Sequence, residues 1–327
     1  CSYNVGYLRS VMERLGLGDR WIYRSGADGS YHGKSEREAR EICAGADVMV
    51  NVSGACWLRP EYRRIPRKIF IDSDPMFTQV GLTSASPETL ERLHAHDFHF
   101  TFAENIGQPD CRIPALGFRW IPTRQPIVLD WWPRTLEPPR SVWTTVMNWV
   151  SYKGCEYAGD TWGQKDVEFM RCIDLPRRTA ENFEVAMGLG PGKKRPTELL
   201  RQKGWHIVEP DQRLPDPWTY HDYLRSSKGE WSIAKEGYVK SRSGWFSCRS
   251  ACYLASGRPC VLLDTAWSRY YPTGEGLLAF NTVEEAAAGV DRVAANYEAH
   301  CEAAHRVAAE CFDAGSVLGA MLEHIGG

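Results

Sequence analysis

Nowhere in the 327 residues does an apolar run approach the roughly 20 needed to cross a bilayer, and no signal peptide opens the chain. Nor is there a surplus of either charge: 39 Lys and Arg stand against 41 Asp and Glu, for a net charge of −2 and a pI near 6.6. Without a global attraction for phosphate backbones or anionic membranes, nucleic acid is not supported as a partner. The eleven cysteines are an odd number that forms neither paired CxxC units nor the Cys/His spacing of a zinc site. They fit buried thiols in a reducing cytoplasm, and Cys248 and Cys252, four apart on an expected helix, read as small packing residues. No internal repeat or low-complexity tract is present. The chain also lacks the strand and Gly-rich loop that normally open an α/β domain. It begins at Cys1 and passes directly into a helical pattern of Val5, Leu8, Val11, Met12 and Leu15, which reads as an interior cut of a longer gene.

What is present supports a large folded protein. A hydrophobic content of 43% can bury substantial cores, and the length favours two domains over one. Short strands are expected at Arg20–Tyr23, Asp47–Val52, Lys68–Asp72 and Phe98–Ala103, with helices at Lys34–Ala44 and Ser86–His94 between them. Such alternation predicts a parallel sheet with helices on its faces. Seven prolines between Gln108 and Pro139 then stop regular structure, so the domain boundary is expected near Glu137–Ser141, with domains 1–138 and 139–327. A second α/β series follows. Its expected strands are Val142–Trp149, Phe183–Met187, His206–Val208, Glu230–Ala234, Pro259–Leu263 and Leu277–Phe280. Its helices are expected at Gln164–Ile173, about Gly244–Ser256, Thr282–Tyr297 and much of His300–Ile325.

The most informative stretch runs from Gly229 to Thr265 and reads as strand, glycine turn, helix, strand. The polar turn Lys240-Ser241-Arg242-Ser243-Gly244 is expected where the helix begins, and unpaired N–H groups and partial positive charge at a helix start suit a diphosphate. Lys240, Arg242, Ser243, Gly244 and Ser247 supply the cations and donors for it, with Arg249 one turn further in. Lys235 follows the strand Glu230–Ala234 at the end where open α/β sheets bind ligands, and it serves a phosphate there or is simply solvated.

The segment Arg242-Ser243-Gly244-Trp245-Phe246-Ser247, with the later step Ala255-Ser256-Gly257-Arg258-Pro259, resembles the donor-site pattern of GT-B glycosyltransferases. The resemblance implies an α/β fold of two Rossmann-like domains facing a cleft, closed by C-terminal helices. It implies a nucleotide-diphosphate sugar held mainly by the C-terminal domain and an acceptor, unidentified, held by the N-terminal one. By the same resemblance Trp245 belongs to the donor turn, Asp264 and Thr265 lie near the sugar, and Gly274 and Glu275 lie near the ribose. Two departures stand out. The Glu-x7-Glu pair of many retaining members is absent, with Arg249 and Ser250 where an acid is expected, and the opening strand and Gly-rich loop are lacking.

Glycosyl transfer develops negative charge on the departing diphosphate, which protein cations and N–H donors can meet without a metal or cofactor. Asp72 and Asp74, just beyond the apolar strand Ile69–Ile71, are the candidate catalytic carboxylates; the competing role for either is to cap the turn. Glu104–Gly107 is a weaker loop candidate for contact with acceptor or sugar, and Gln164, Lys165 and Asp166 open a helix where Lys165 could bind phosphate. His94, His96 and His99 have metal-compatible spacing, but a helix end running into a strand accounts for them as well. The 13 tryptophans read as core and interface residues. The expectation is a metal-independent glycosyltransferase; the alternatives are a sugar-nucleotide epimerase of the same design and a non-catalytic nucleotide-sugar or glycan-binding module.

Overall fold

A computed structural model describes residues 2–135, 138, 140–190 and 195–326. Cys1, and Glu137 and Pro139 of the expected boundary, lie outside the described residues. The chain divides into two compact units, one of Cys1–Phe70 with Pro87–Phe98 and the other of Ile71–Ser86 with His99–Gly327. No helix of the described residues is long and apolar enough to cross a membrane.

The first unit opens with the helix Ser2–Arg14, followed by a small antiparallel pair, β1 (Tyr23–Arg24) and β2 (Tyr31–His32). The helix expected at Lys34–Ala44 runs over Glu36–Gly45, its start set by Ser35, which accepts from the Glu38 N–H while the Glu38 carboxylate takes the Ser35 N–H, a reciprocal capping box. Strand β3 (Val48–Val52) lies beside β4 (Arg67–Asp72), and the helix Pro87–His94 leads into β5 (Phe98–Thr101).

In the second unit, the C-terminal ends of β4 and β5 are neighbours, and β5 pairs in parallel with β6 (Trp120–Pro122). The main sheet contains β7 (Trp143–Asn148), β10 (Phe183–Gly188), β11 (His206–Val208), β12 (Gly229–Ser232), β13 (Cys260–Leu263) and β14 (Leu277–Phe280), all parallel. Between β7 and β10 lies a hairpin, β8 (Cys155–Tyr157) and β9 (Asp160–Trp162). The sheet order is β11-β10-β7-β12-β13-β14, so the first strand of the series sits beside the fourth.

Both faces of this sheet are buried, as a parallel sheet requires. Alternate residues serve opposite cores. Val185, Val261 and Leu278 join Trp143, Trp205, Trp231 and the helix Val283–Ala295, whereas Ala186, Leu262 and Leu277 join Leu254, Ala308 and Phe312 on the other side. Five tryptophans, Trp143, Trp162, Trp205, Trp231 and Trp267, are fully buried, whereas Trp131 is exposed. The C-terminal expectation of helices is met by Val283–Ala295, Tyr297–Phe312 and Ala314–Gly326. Every cysteine among the described residues is a free thiol.

Candidate active site

In an open parallel sheet, ligands gather at the carboxyl ends of the strands where the strand order reverses. Here that point lies between β7 and β12. The chain leaves β12 through Ile233 and Ala234 to Lys235, which is 8% exposed. It leaves β7 through Tyr152 and the β8–β9 hairpin to Lys165, the first residue of the helix Lys165–Arg171. Sheet order therefore brings both lysines to one place from segments 70 residues apart.

A third segment enters from β4. Its Asp74 accepts the Lys235 ammonium on Oδ1 at 2.8 Å, the Tyr238 hydroxyl on the same oxygen, and the Tyr152 hydroxyl on Oδ2. Lys235 also donates to the Tyr152 oxygen at 2.7 Å, and its ammonium lies 4.3 Å from the Tyr152 ring centroid. Burial, reinforced by the neighbouring Asp74 charge, pushes the Tyr152 and Tyr238 hydroxyls above the ordinary tyrosine range. Burial also draws Lys235 down, against the opposing pull of Asp74. Lys165 has no hydrogen-bonded or ion-paired side chain among the described residues, and burial together with Arg249 and Lys235 pulls it well below the usual lysine range.

Asp72 plays a different part from Asp74. It is 1% exposed, and its carboxylate accepts from Thr78 Oγ1 (2.7 Å), Gln79 Nε2 (2.9 Å), Thr101 Oγ1 (2.9 Å) and the Asp74 N–H (3.0 Å). Burial raises its pKa. With its oxygens engaged by these donors, Asp72 fixes the loop that presents Asp74, which is the turn-holding role anticipated as its alternative.

The helix expected from Gly244 begins four residues later. Lys235 is followed by a short helix, Glu236–Lys240, and then Arg242 (φ 52°) and Gly244 (φ 72°) take left-handed backbone that cannot continue or start a right-handed helix. Ser247 holds the N-cap position of the helix Cys248–Ala255, without a side-chain cap bond. The polar turn therefore does not stand at a helix N-terminus. Its cations are committed to carboxylates: Arg242 Nε donates to Asp110 Oδ2 (2.7 Å), which also holds Arg269, and Lys240 donates to Asp160 Oδ1 (2.6 Å), which also holds Arg112. Ser243 is buried, donating to the Tyr238 carbonyl and accepting the Trp245 N–H.

Trp245 does reach the Asp74 centre. Its indole donates to the Ser73 carbonyl at 3.3 Å and its ring lies 4.5 Å from that of Tyr238. Gly244 donates its N–H to the Thr265 carbonyl, and Thr265 Oγ1 donates to the Trp245 carbonyl at 2.8 Å, which ties the turn to the loop after β13. Asp264 in that loop accepts from the Ser268 N–H and hydroxyl. Ser247 lines a small cavity of about 20 Å³ with Ser232, Trp245 and Ser250, whose hydroxyl is buried without a partner. Gly274 and Glu275 are not brought here. They precede β14, and in a parallel sheet that puts them at the edge opposite the ends of β12 and β13.

Arg249 also departs from expectation. Its guanidinium is buried against Glu230, donating Nε to that carboxylate, Nη1 to the Val146 carbonyl (2.6 Å) and Nη2 to Ser232 Oγ (2.6 Å). Among the histidines, His96 is buried beside Asn51 in the first unit, and His99 lies between the rings of Phe118 and Trp120 in the second. Tyr152 and Tyr238 escaped sequence reasoning because nothing in their neighbours marks them. Their only signal is position, just past a strand that ends at the switch point.

No protein-family model and no curated protein sequence matches the chain. Solved structures do. HepE from Anabaena, in complex with UDP and glucose, is similar with a TM-score of 0.58 at 10% identity, over 89% of this chain and 80% of that one. Sucrose-phosphate synthase from Thermosynechococcus elongatus gives 0.53 at 10% identity over 88% and 76%. The UDP-forming α,α-trehalose-phosphate synthase from Burkholderia xenovorans, in complex with glucose-6-phosphate, gives 0.51 at 11% identity over 89% and 78%. The fold is the α/β GT-B fold of Rossmann-like sheets anticipated from the sequence.

Proposed function

We propose that the chain is a glycosyltransferase that takes a sugar from a nucleotide-diphosphate donor. The observation that carries this reading is the pair of lysines, half-buried Lys165 and buried Lys235, converging at the switch point of the sheet with Asp74 as the carboxylate bound to Lys235. Two shielded cations with one carboxylate between their segments form a site that an anionic diphosphate would complete electrostatically. The solved structures of the same fold that carry UDP or form it make uridine diphosphate the first nucleotide to test.

In the proposed reaction the acceptor oxygen bonds to the anomeric carbon as that carbon's bond to the diphosphate oxygen breaks. The bonding pair leaves with the nucleoside diphosphate, whose charge Lys165 and Lys235 meet. As Lys235 turns from Asp74 to the phosphate, Asp74 Oδ1 keeps the Tyr238 hydroxyl but loses the ammonium, which opens a lone pair to take the acceptor's proton. Protein cations thus fill the role a divalent metal fills elsewhere, and turnover that survives chelation by EDTA is the expected outcome. Arg242, already held by Asp110, contributes less than either lysine.

The test is thermal stabilisation of the purified chain by UDP, GDP, dTDP, ADP and CDP, since a ligand at 100 times its Kd adds about 2.7 kcal/mol to a fold it alone recognises. A selective shift that is lost in Lys235→Met and retained in part by Arg242→Ala supports the site. No shift with any nucleotide, in a chain shown to be folded, sinks it and returns the weight to a glycan-binding module. If a matching sugar nucleotide is interconverted without any acceptor, the activity is epimerisation.

A further inference from the structure

The Lys235 ammonium is surrounded by aromatic rings as well as by a carboxylate. It lies 4.3 Å from the Tyr152 ring centroid, 5.0 Å from that of Phe77 and 5.1 Å from that of Tyr238. All three distances fall inside the roughly 6 Å over which a ring quadrupole attracts a cation. The rings also brace one another. Phe77 meets Tyr152 edge-on at 5.3 Å and Tyr238 edge-on at 5.8 Å, and Trp245 backs Tyr238 at 4.5 Å. With Asp74 on the ammonium at 2.8 Å, the site is an aromatic cage closed by one acid, an arrangement suited to holding an ammonium group.

Two backbone features fit Phe77 to this cage. Met76, immediately before it, takes positive φ (71°) while fully buried, and its N–H is held by Gln79 Oε1 at 2.7 Å. Gly237, on the helix Glu236–Lys240, faces the ring, and a Cβ there would lie 2.6 Å from Phe77 Cζ. Tyr152 and Tyr238 have a second task, since their hydroxyls bond Asp74, whereas Phe77 brings only its ring.

We propose that Phe77 is a positioning residue whose ring, with those of Tyr152 and Tyr238, keeps the Lys235 ammonium charged and in place while its hydrogen-bond partner changes. A hydrogen bond to Asp74 is directional and is lost when the ammonium turns; attraction to a ring face acts on the charge itself and survives the turn. The exchange of Asp74 for phosphate rests on the proposed function, but the cage stands on its own geometry. The other groups that bias the Lys235 titration are Asp74 and, behind it, Asp72 from the loop after β4, Tyr152 from the loop after β7, Tyr238 from the helix that Lys235 caps, and Lys165. None of them is altered in the test.

The purified chain, carrying isotopically labelled lysine, is titrated with alkali by NMR, and the Lys235 signal is identified by its loss in Lys235→Met. In Phe77→Leu, which keeps apolar bulk without a ring, Lys235 is expected to hold its proton at least about threefold more weakly. Phe77→Met, also ringless, should behave as the leucine variant does, and Phe77→Tyr should restore the parent titration. Leu82→Val, a packing loss on the same helix, is the control and should leave it unmoved. A Lys235 titration unchanged in the ringless variants, or moved equally by Phe77→Tyr or Leu82→Val, would overturn the proposal. UDP is then added across the same pH range. Binding that weakens in Phe77→Leu, most strongly where the variant has lost its proton and the parent has not, is expected; equal binding by both at every pH would overturn the positioning role. If the parent itself binds no UDP, the proposed transfer fails, and the Lys235 titration still decides the cage.

Discussion

Lys235 and Asp74, 161 residues apart in sequence, meet at 2.8 Å at the ends of two different sheets. The lysine is buried and the carboxylate side chain only one-third exposed, so the pair sits where charge is screened poorly by water.

Removing one partner of such a pair leaves the other charge uncompensated. Asp74→Asn is expected to lower stability by about 1–3 kcal/mol, less than a fully buried pair would lose because Asp74 retains some solvent. Transfer activity should fall far more than stability. Urea denaturation and turnover measured on the same preparation separate the two, and full activity in the variant would exclude Asp74 from the chemistry.

Lys165 gives a prediction with a definite pH sign. Its folded-state pKa is depressed, so above the ordinary lysine value of 10.5 both folded and unfolded chains are neutral at this position and no penalty exists. As pH falls below 10.5 the unfolded chain takes up its proton first, and the folded state loses relative stability until its own pKa is passed. Lys165→Met should therefore be more stable than the parent at pH 7, with the gap closing as pH approaches 10.5. The same variant should bind nucleotide at least tenfold more weakly. Equal denaturation midpoints at pH 7 would mean that the ammonium is already compensated.

Glu230 is 0% exposed and accepts from Arg249 in the middle of the main sheet. Glu230→Ala strands a buried guanidinium and should cost about 3–5 kcal/mol, while Arg249 and Glu230 replaced together by Met and Leu should recover most of it. Melting temperatures of the single and double variants decide this. A double variant as unstable as the single would point to a packing role for the carboxylate's stem.

Gly244 needs its lack of a Cβ twice over. At φ 72° a side chain is strained, and a Cβ there would lie 2.5 Å from the Asn105 backbone nitrogen. Gly244→Ala should destabilise by about 1–3 kcal/mol. Gly319, inside the helix Ala314–Gly326 with open space around its Cβ position, is the control, and alanine there should be neutral or stabilising by about 0.5–1 kcal/mol. Thermal unfolding of both variants provides the comparison.

The strands of the main sheet were legible because apolar runs such as Phe183–Met187 and Pro259–Leu263 are buried on both faces and bounded by turn residues. The β8–β9 hairpin was not. Its strands are three residues each, and its turn places Ala158 as well as Gly159 at positive φ, so the usual Asn-Gly or Asp-Gly signature is absent. The late start of the helix Cys248–Ala255 was hidden for the same reason: Arg242 adopts a left-handed conformation that its residue type does not advertise. Lys235 was legible from its place after a strand. That Arg242 and Lys240 are tied to Asp110 and Asp160 was not, because those partners lie 132 and 80 residues away.

Tyr152 serves two groups at once, its ring against the Lys235 ammonium and its hydroxyl between that lysine and Asp74. Anything that rotates the ring also breaks or strengthens a bond to the lysine. Two ligands, one taking up the ammonium and one meeting the carboxylate, would then be thermodynamically linked, each changing the other's affinity by the same factor. The sign of that factor would be set by whether the first ligand holds the hydroxyl in place or turns it away.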